Sequence, residues 1–60
     1  MDIKKIRLQA GMSQEALALA SGVSRISIIR YEAGERFPDL ETAVRIAKAL
    51  GCKVDDLIDK

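Results

Sequence analysis

The sequence contains no histidine and no tryptophan, one cysteine, one proline and only two aromatic residues, Tyr31 and Phe37. Without histidine it lacks the side chain most used for proton transfer and transition-metal ligation near neutral pH. The lone Cys52 cannot close an internal disulfide, and redox sensing through it would need a thiol from another chain. No metal-ligand cluster, no phosphate-cradling glycine loop and no nucleophile set beside a base is visible. An enzyme is therefore not expected, nor a cofactor or metal, nor a small-molecule ligand held within this chain. No apolar run approaches the roughly 18 residues of a membrane span. The start "MDIKKIRLQAG" lacks the apolar core and cleavage site of a secretory signal. A reduced, cytoplasmic setting away from the membrane is the expectation.

What is present fits one small helical module. Sixty residues make a single domain, 1–60, and a chain of that size buries only about 60% of the surface its unfolded form exposes. Apolar residues form 48% of the sequence and charged ones 32%; with so few aromatics, the core has to be built from Ile, Leu, Val and Ala. Net charge is +1, too little for a nonspecific polybasic binder, yet it is unevenly spread. Residues 1–30 carry a net +3 and residues 31–60 a net −2. A domain polarised in this way can offer one side to phosphate; ordinary solvated charge is the alternative.

Five short helices follow from the periodicity, over about 2–10, 14–21, 25–33, 40–50 and 54–59. Asp2 is placed to cap the first, whose inner stripe is Ile3, Ile6, Arg7 and Ala10, with Gly11 as its stop. Ser13 caps the second, with Leu17, Ala18 and Ser21 inward, and Ser24 caps the third, with Ile28, Tyr31 and Glu32 on one face. Gly34 supplies a left-handed stop. Asp39 caps the fourth, with Leu40, Ala43, Val44, Ala47 and Leu50 inward and Gly51 closing it. The last puts Val54, Leu57 and Ile58 on one side, behind a poor capper, Lys53. No strand pattern, linker or repeat is present, so the fold class is all-α around one core.

Helices two and three, joined by a short break containing Gly22, match the description of a helix-turn-helix. Alone that signal is weak. Joined to "GMSQEALA" (11–18), "GVS" (22–24), Ile28, the series Glu32, Gly34, Arg36, Pro38, Leu40, and "IAKALG" (46–51), it is specific. With these motifs in order from Ile3 to Ile58, the chain resembles the Cro and phage-repressor type helix-turn-helix domains, the XRE family. The resemblance implies a lambda-repressor-like fold and a sequence-specific binder of double-stranded DNA that regulates transcription, with repression the expected outcome. It implies that helix three enters the major groove and helix two crosses the backbone.

Side-chain chemistry agrees with that placement. Arg25, near the start of helix three, suits a bidentate grip on guanine O6 and N7; Arg30, on its outer side, suits a base or a phosphate equally. Gln14 in the first turn of helix two is similar to the family's phosphate clamp, aided by the free N–H groups and dipole of the helix start. Arg36 matches another backbone contact of the family, and Ser24 can add a hydroxyl although capping explains it. Lys4 and Lys5 extend the patch or are simply solvated. The family also pairs an arginine and a glutamate at the positions of Arg7 and Glu32, which accounts for a charge on an apolar stripe.

Several residues depart from the family pattern. Leu8, Leu19, Ile26 and Ile29 are apolar where polar residues are usual, and Ser21 stands where leucine is common. Local repacking, with Leu19 covering the gap at Ser21, is the expectation for the first two. Ile26 and Ile29 lie on the outer side of helix three, where they can meet thymine methyl groups or anchor a protein partner. A protein-interaction module using that stripe is the rival function. Phe37 is expected to pack in the loop under helix four, Tyr31 in the core with its hydroxyl at the rim, and Cys52 as a small apolar residue. Useful specificity further implies a homodimer on a palindrome, with half-sites about 34 to 36 Å apart; the acidic, apolar end from Val54 to Lys60 is the expected self-contact.

Overall fold

Three helix starts share one device: a short polar side chain takes the N–H three residues on. Ser13 Oγ accepts from Ala16 N at 3.0 Å, Ser24 Oγ from Ser27 N at 3.1 Å, and Asp39 Oδ1 from Thr42 N at 2.8 Å. These caps satisfy donors that the first turn cannot. In the computed structural model, which describes residues 1–58, they open α2 (Gln14–Ser21), α3 (Arg25–Glu32) and α4 (Leu40–Leu50). The other two helices are α1 (Ile3–Gln9) and α5 (Val54–Leu57), and no strand occurs among the described residues. The helices at 14–21 and 40–50 match the expected ranges; α1 is one residue shorter at each end, and α3 and α5 end earlier than expected. Residue 59 of the expected last helix lies outside the described residues.

Two starts work differently from the expectation. Asp2 does not cap α1 with its side chain; its backbone N–H instead donates to Leu57 O at 2.9 Å, tying the start of the chain to α5. The side chain of Lys53 does no capping either, having no acceptor. Asp56 compensates by reaching back to accept from Lys53 N at 3.0 Å.

Each helix contributes one fully buried aliphatic side chain to a common centre: Ile3, Leu17, Ile28, Ile46 and Leu57. Tyr31 and Ala47 complete that cluster, with Ala18, Val23, Leu50 and Cys52 packed against it from outside. Ser21 is buried without leaving an orphan group, since its hydroxyl donates to Leu17 O at 2.7 Å. Leu19 does not cover it, being 82% exposed. Two residues along a helix is about 200° of rotation, so Leu19 and Ser21 leave α2 on nearly opposite sides. Leu8 and Ala10 are exposed as well, and Ile46 takes the inner place on α4 that Leu40 was expected to share.

Leu40 and Phe37 are the largest corrections, at 74% and 72% exposed; Ile58 is half exposed. Leu40 lies in the first turn of α4 and is left largely uncovered there. Phe37 is not packed under α4 but stands exposed in the loop before it. With Pro38, Ala43 and Val54 these side chains line an open apolar groove.

Candidate nucleic-acid interface

Between α2 and α3 the chain has only two residues, Gly22 and Val23, in which to turn, because Ser24 already caps α3. Gly22 makes this possible with φ at 71°, a left-handed conformation that glycine alone adopts freely. A β-carbon built there would meet nothing within 4 Å. The requirement is therefore on the backbone and not on space.

The turn sets α3 beneath α1 and beside α2, and one group of polar side chains holds the three together. Arg7 Nε donates to Glu32 Oε2 at 2.7 Å and its Nη2 to Oε1 at 3.2 Å, a two-point pairing of side chains only 8% and 5% exposed. A third donor, Nη1, reaches Met12 O at 2.8 Å, anchoring the link between α1 and α2. Gln14 Nε2 also donates to Glu32 Oε1, at 3.0 Å. Burial by itself would raise the pKa of Glu32, but the hydrogen bonds from Arg7 and Gln14, together with the charges of Arg7 and Lys4, outweigh it and hold the carboxyl below its ordinary 4.5.

Gln14 is therefore less free than the family resemblance alone suggests. One of its two amide hydrogens is spent on Glu32, which leaves the other N–H and the carbonyl oxygen without a partner among the described residues. It opens α2, where the backbone N–H groups of Gln14 and Glu15 have no preceding turn to bond to. Arg7, Ser13, Gln14, Glu15 and Arg25 line a shallow polar groove there, so the structure brings Gln14 and Arg25 together. Glu15 is the member that sequence reasoning passed over. Its carboxylate favours the positive end of α2 but opposes any phosphate arriving there.

On α3, Arg25, Ile26, Ile29, Arg30 and Ala33 share an outward arc of about 140° at 100° per residue, and all are exposed. Ile26 is 63% and Ile29 39% exposed. Arg25 and Arg30 have no ion-pair or hydrogen-bond partner among the described residues, and neither has Arg36, exposed in the loop leaving α3. Ser24 differs: it also donates its hydroxyl hydrogen to Ser27 Oγ at 2.9 Å. Offering that hydrogen to a phosphate would require it to release Ser27. The contact of Gln14 with Glu32 leaves no periodic mark in the sequence, because it depends on the angle at which α2 and α3 meet; that of Arg7 with Met12 O involves a backbone oxygen and leaves none either.

Elsewhere the chemistry is quiet. No group of three or more metal-binding side chains occurs among the described residues, and no helix is long and apolar enough to cross a membrane. Burial raises the pKa of the Cys52 thiol, with Asp56 adding to the effect, so it stays protonated and poorly nucleophilic.

The profile of the helix-turn-helix family matches residues 3–57. An HTH-type transcriptional regulator of Methanocaldococcus jannaschii is 42% identical over 55 residues, which is 92% of this chain and 83% of the relative. One from Bacillus subtilis is 36% identical over 55 residues, again 92% of this chain and 83% of the relative. The cryptic phage CTXphi transcriptional repressor of Vibrio cholerae is 32% identical over 56 residues, 93% of this chain and 50% of that protein. No solved structure gives a significant match. With its profile match spanning all five helices, and with relatives of that kind, the chain belongs to the XRE-type helix-turn-helix family of DNA-binding transcriptional regulators.

Proposed function

We propose that the chain recognises one half-site of a palindromic operator by laying α3 in the major groove, that it does so as a homodimer, and that the outcome is repression. The observation that carries this is the outward arc of α3, with two arginines that have no partner among the described residues, one of which, Arg25, shares a groove with the start of α2. Arg25 reads a guanine, Arg30 a guanine or a phosphate, and Ile26 and Ile29 contact thymine methyl groups. Gln14, through its remaining N–H, and Arg36 hold the DNA backbone, with Ser24 a lesser contributor. Such contacts set register and salt dependence without reading sequence. Repression is supported by the phage relative, which is named a transcriptional repressor. Residues 1–60 act as one domain in a reducing, cytoplasmic setting, without a cofactor.

Selection from a random duplex library, followed by titration at several salt concentrations, tests this. A consensus half-site with a large ratio of specific to nonspecific affinity is expected; salt-steep binding without a consensus would sink it.

The exposure of Ile26 and Ile29 favours a second function, a protein-interaction module on the same fold. Replacing both with serine separates the two. Loss of preference at thymine-containing positions, with phosphate-driven affinity retained, is expected for groove readout. An equal fall on all sequences would remove groove readout by these residues.

A further inference from the structure

The outward arc of α3 is short of one kind of chemistry. Arg25 and Arg30 carry guanidiniums, which only donate hydrogen bonds, and Ile26, Ile29 and Ala33 are apolar, so no side chain on the arc accepts one. Its borders do not supply the missing acceptor. Glu32, next to Arg25 around the helix, is only 5% exposed, with Oε2 taken by Arg7 and Oε1 by Arg7 and Gln14. At the other edge, beyond Arg30, the Ser27 hydroxyl oxygen accepts from Ser24 at 2.9 Å. The acceptors nearby that stay open, the Gln14 carbonyl and the Glu15 carboxylate, belong to α2, and Glu35 lies past the stop at Gly34.

In the major groove an acceptor side chain is what singles out the amino group of adenine or cytosine. An arc without one is left with purine N7, the carbonyl oxygens of guanine and thymine, and the methyl group at C5 of thymine. The guanidiniums suit the oxygens and N7, and the isoleucines suit the methyl. A 5-methylcytosine·guanine pair presents that methyl at the same place as thymine·adenine, together with one N7 and one carbonyl oxygen. The two pairs differ in which base bears the carbonyl and which the amino group. Isoleucine has no polar atom with which to register that exchange.

We propose that the protein reads the C5-methyl group and not the base that bears it, so that 5-methylcytosine opposite Ile26 and Ile29 stands in for thymine and cytosine methylation raises the occupancy of an operator. This rests on the reading of α3 as recognition helix given above and names a modification to which that same site responds.

Charge and spacing select a methyl-bearing groove as the occupant. Arg25 and Arg30 stand at the two edges of the arc with both isoleucines between them. An apolar partner surface would bury two unpaired charges, whereas the major groove offers its methyl groups between two rows of phosphates. Ile26 and Ile29 are both exposed and are separated by about 4.5 Å along the axis at 1.5 Å per residue. Successive bases of one strand rise about 3.4 Å, so the pair addresses methyl groups on neighbouring base pairs.

Selection from three random duplex libraries tests the proposal. One carries thymine and cytosine, the second deoxyuridine in place of thymine, and the third deoxyuridine together with 5-methylcytosine in place of cytosine. The first is expected to enrich thymine beside the guanine of Arg25. The second is expected to lose that preference, with affinity lower by about fourfold for each methyl removed. The third is expected to recover it, with 5-methylcytosine, now paired to guanine, at the positions thymine held. In an Ile26→Ser, Ile29→Ser variant the gap between methylated and unmethylated duplexes is expected to close, while the salt slope stays that of wild type because phosphate contacts are untouched. Circular dichroism melts of this variant are expected to match wild type, both side chains being exposed, and the deoxyuridine comparison needs no variant at all. The proposal is overturned by undiminished binding to the deoxyuridine library, by 5-methylcytosine that binds no better than cytosine, or by a methyl preference that persists in the double variant. A consensus indifferent to methyl groups removes this proposal alone, and the absence of a consensus from all three libraries removes the operator reading as well.

Discussion

Arg7 and Glu32 show how one buried pair can bear on both stability and the placement of Gln14, the residue proposed to hold the DNA backbone. Removing one partner of such a pair typically costs about 3 to 5 kcal/mol, because the other charge is stranded. In a domain whose total stability is of that order, Arg7→Met is expected to bring the urea midpoint close to zero. The Arg7→Met, Glu32→Leu double change is expected to recover much of the loss, but not all. It leaves Met12 O and the Gln14 amide without their partners. Additive losses in the double-mutant cycle would show that the two residues act independently. Acid titration reads the same group. A carboxyl held below 4.5 in the folded state contributes stability that is fully present above 4.5 and disappears as pH falls through the lower folded value. Asp39, lowered by its bonds to Thr42, acts in the same direction. With no histidine, no side chain with an ordinary pKa titrates between about pH 5 and 7, so denaturation midpoints are expected to be flat there and to drop below 4.5. Glu32→Gln is expected to shallow that drop, measured by urea titrations at successive pH values.

At the scale of the element, capping residues and stop glycines were legible because they act through the local backbone. Ser13, Ser24 and Asp39 each bond the N–H three residues on, a relation contained within one turn. Gly22 belongs to the same class. Gly22→Ala places a β-carbon in a left-handed conformation at a cost of about 1–2 kcal/mol, and since nothing lies nearby the loss should appear in thermal melts without rearranged packing. Half-site affinity measured well below the melting temperature is expected to change little. Helical periodicity was a poorer guide to depth. It gave the direction of Leu40 on α4 correctly and its burial wrongly, since a stripe continues to the end of a helix whether or not a neighbour faces it. Leu19 failed for the opposite reason: a gap at Ser21 suggested a filler, but rotation along α2 carries Leu19 to the other side, and the serine hydroxyl is satisfied by Leu17 O instead.

For the whole molecule, charge placement matters more than the net value of +1. Arg25, Arg30 and Arg36 have no intramolecular partners among the described residues, whereas Glu41 and Arg45 pair with each other on α4. Binding should therefore depend steeply on salt despite near-neutrality. Arg36→Ala is expected to weaken binding about equally on all sequences and to reduce the slope of log affinity against log salt by about one per half-site. A changed consensus in that variant would reassign Arg36 from backbone to base.

The sequence by itself determined the five helices, the caps at Ser13, Ser24 and Asp39, most of the aliphatic core and the family, because each is written in local spacing or in motifs kept in order along the chain. It also marked Arg7 as a charge in need of a partner. Only the tertiary structure decided that Gln14 joins that pair, that Glu15 stands in the groove with Arg25, and that Phe37, Leu40 and Ile58 line an open face. These depend on the angles at which short helices cross and on where each one ends, and a one-dimensional period holds neither quantity.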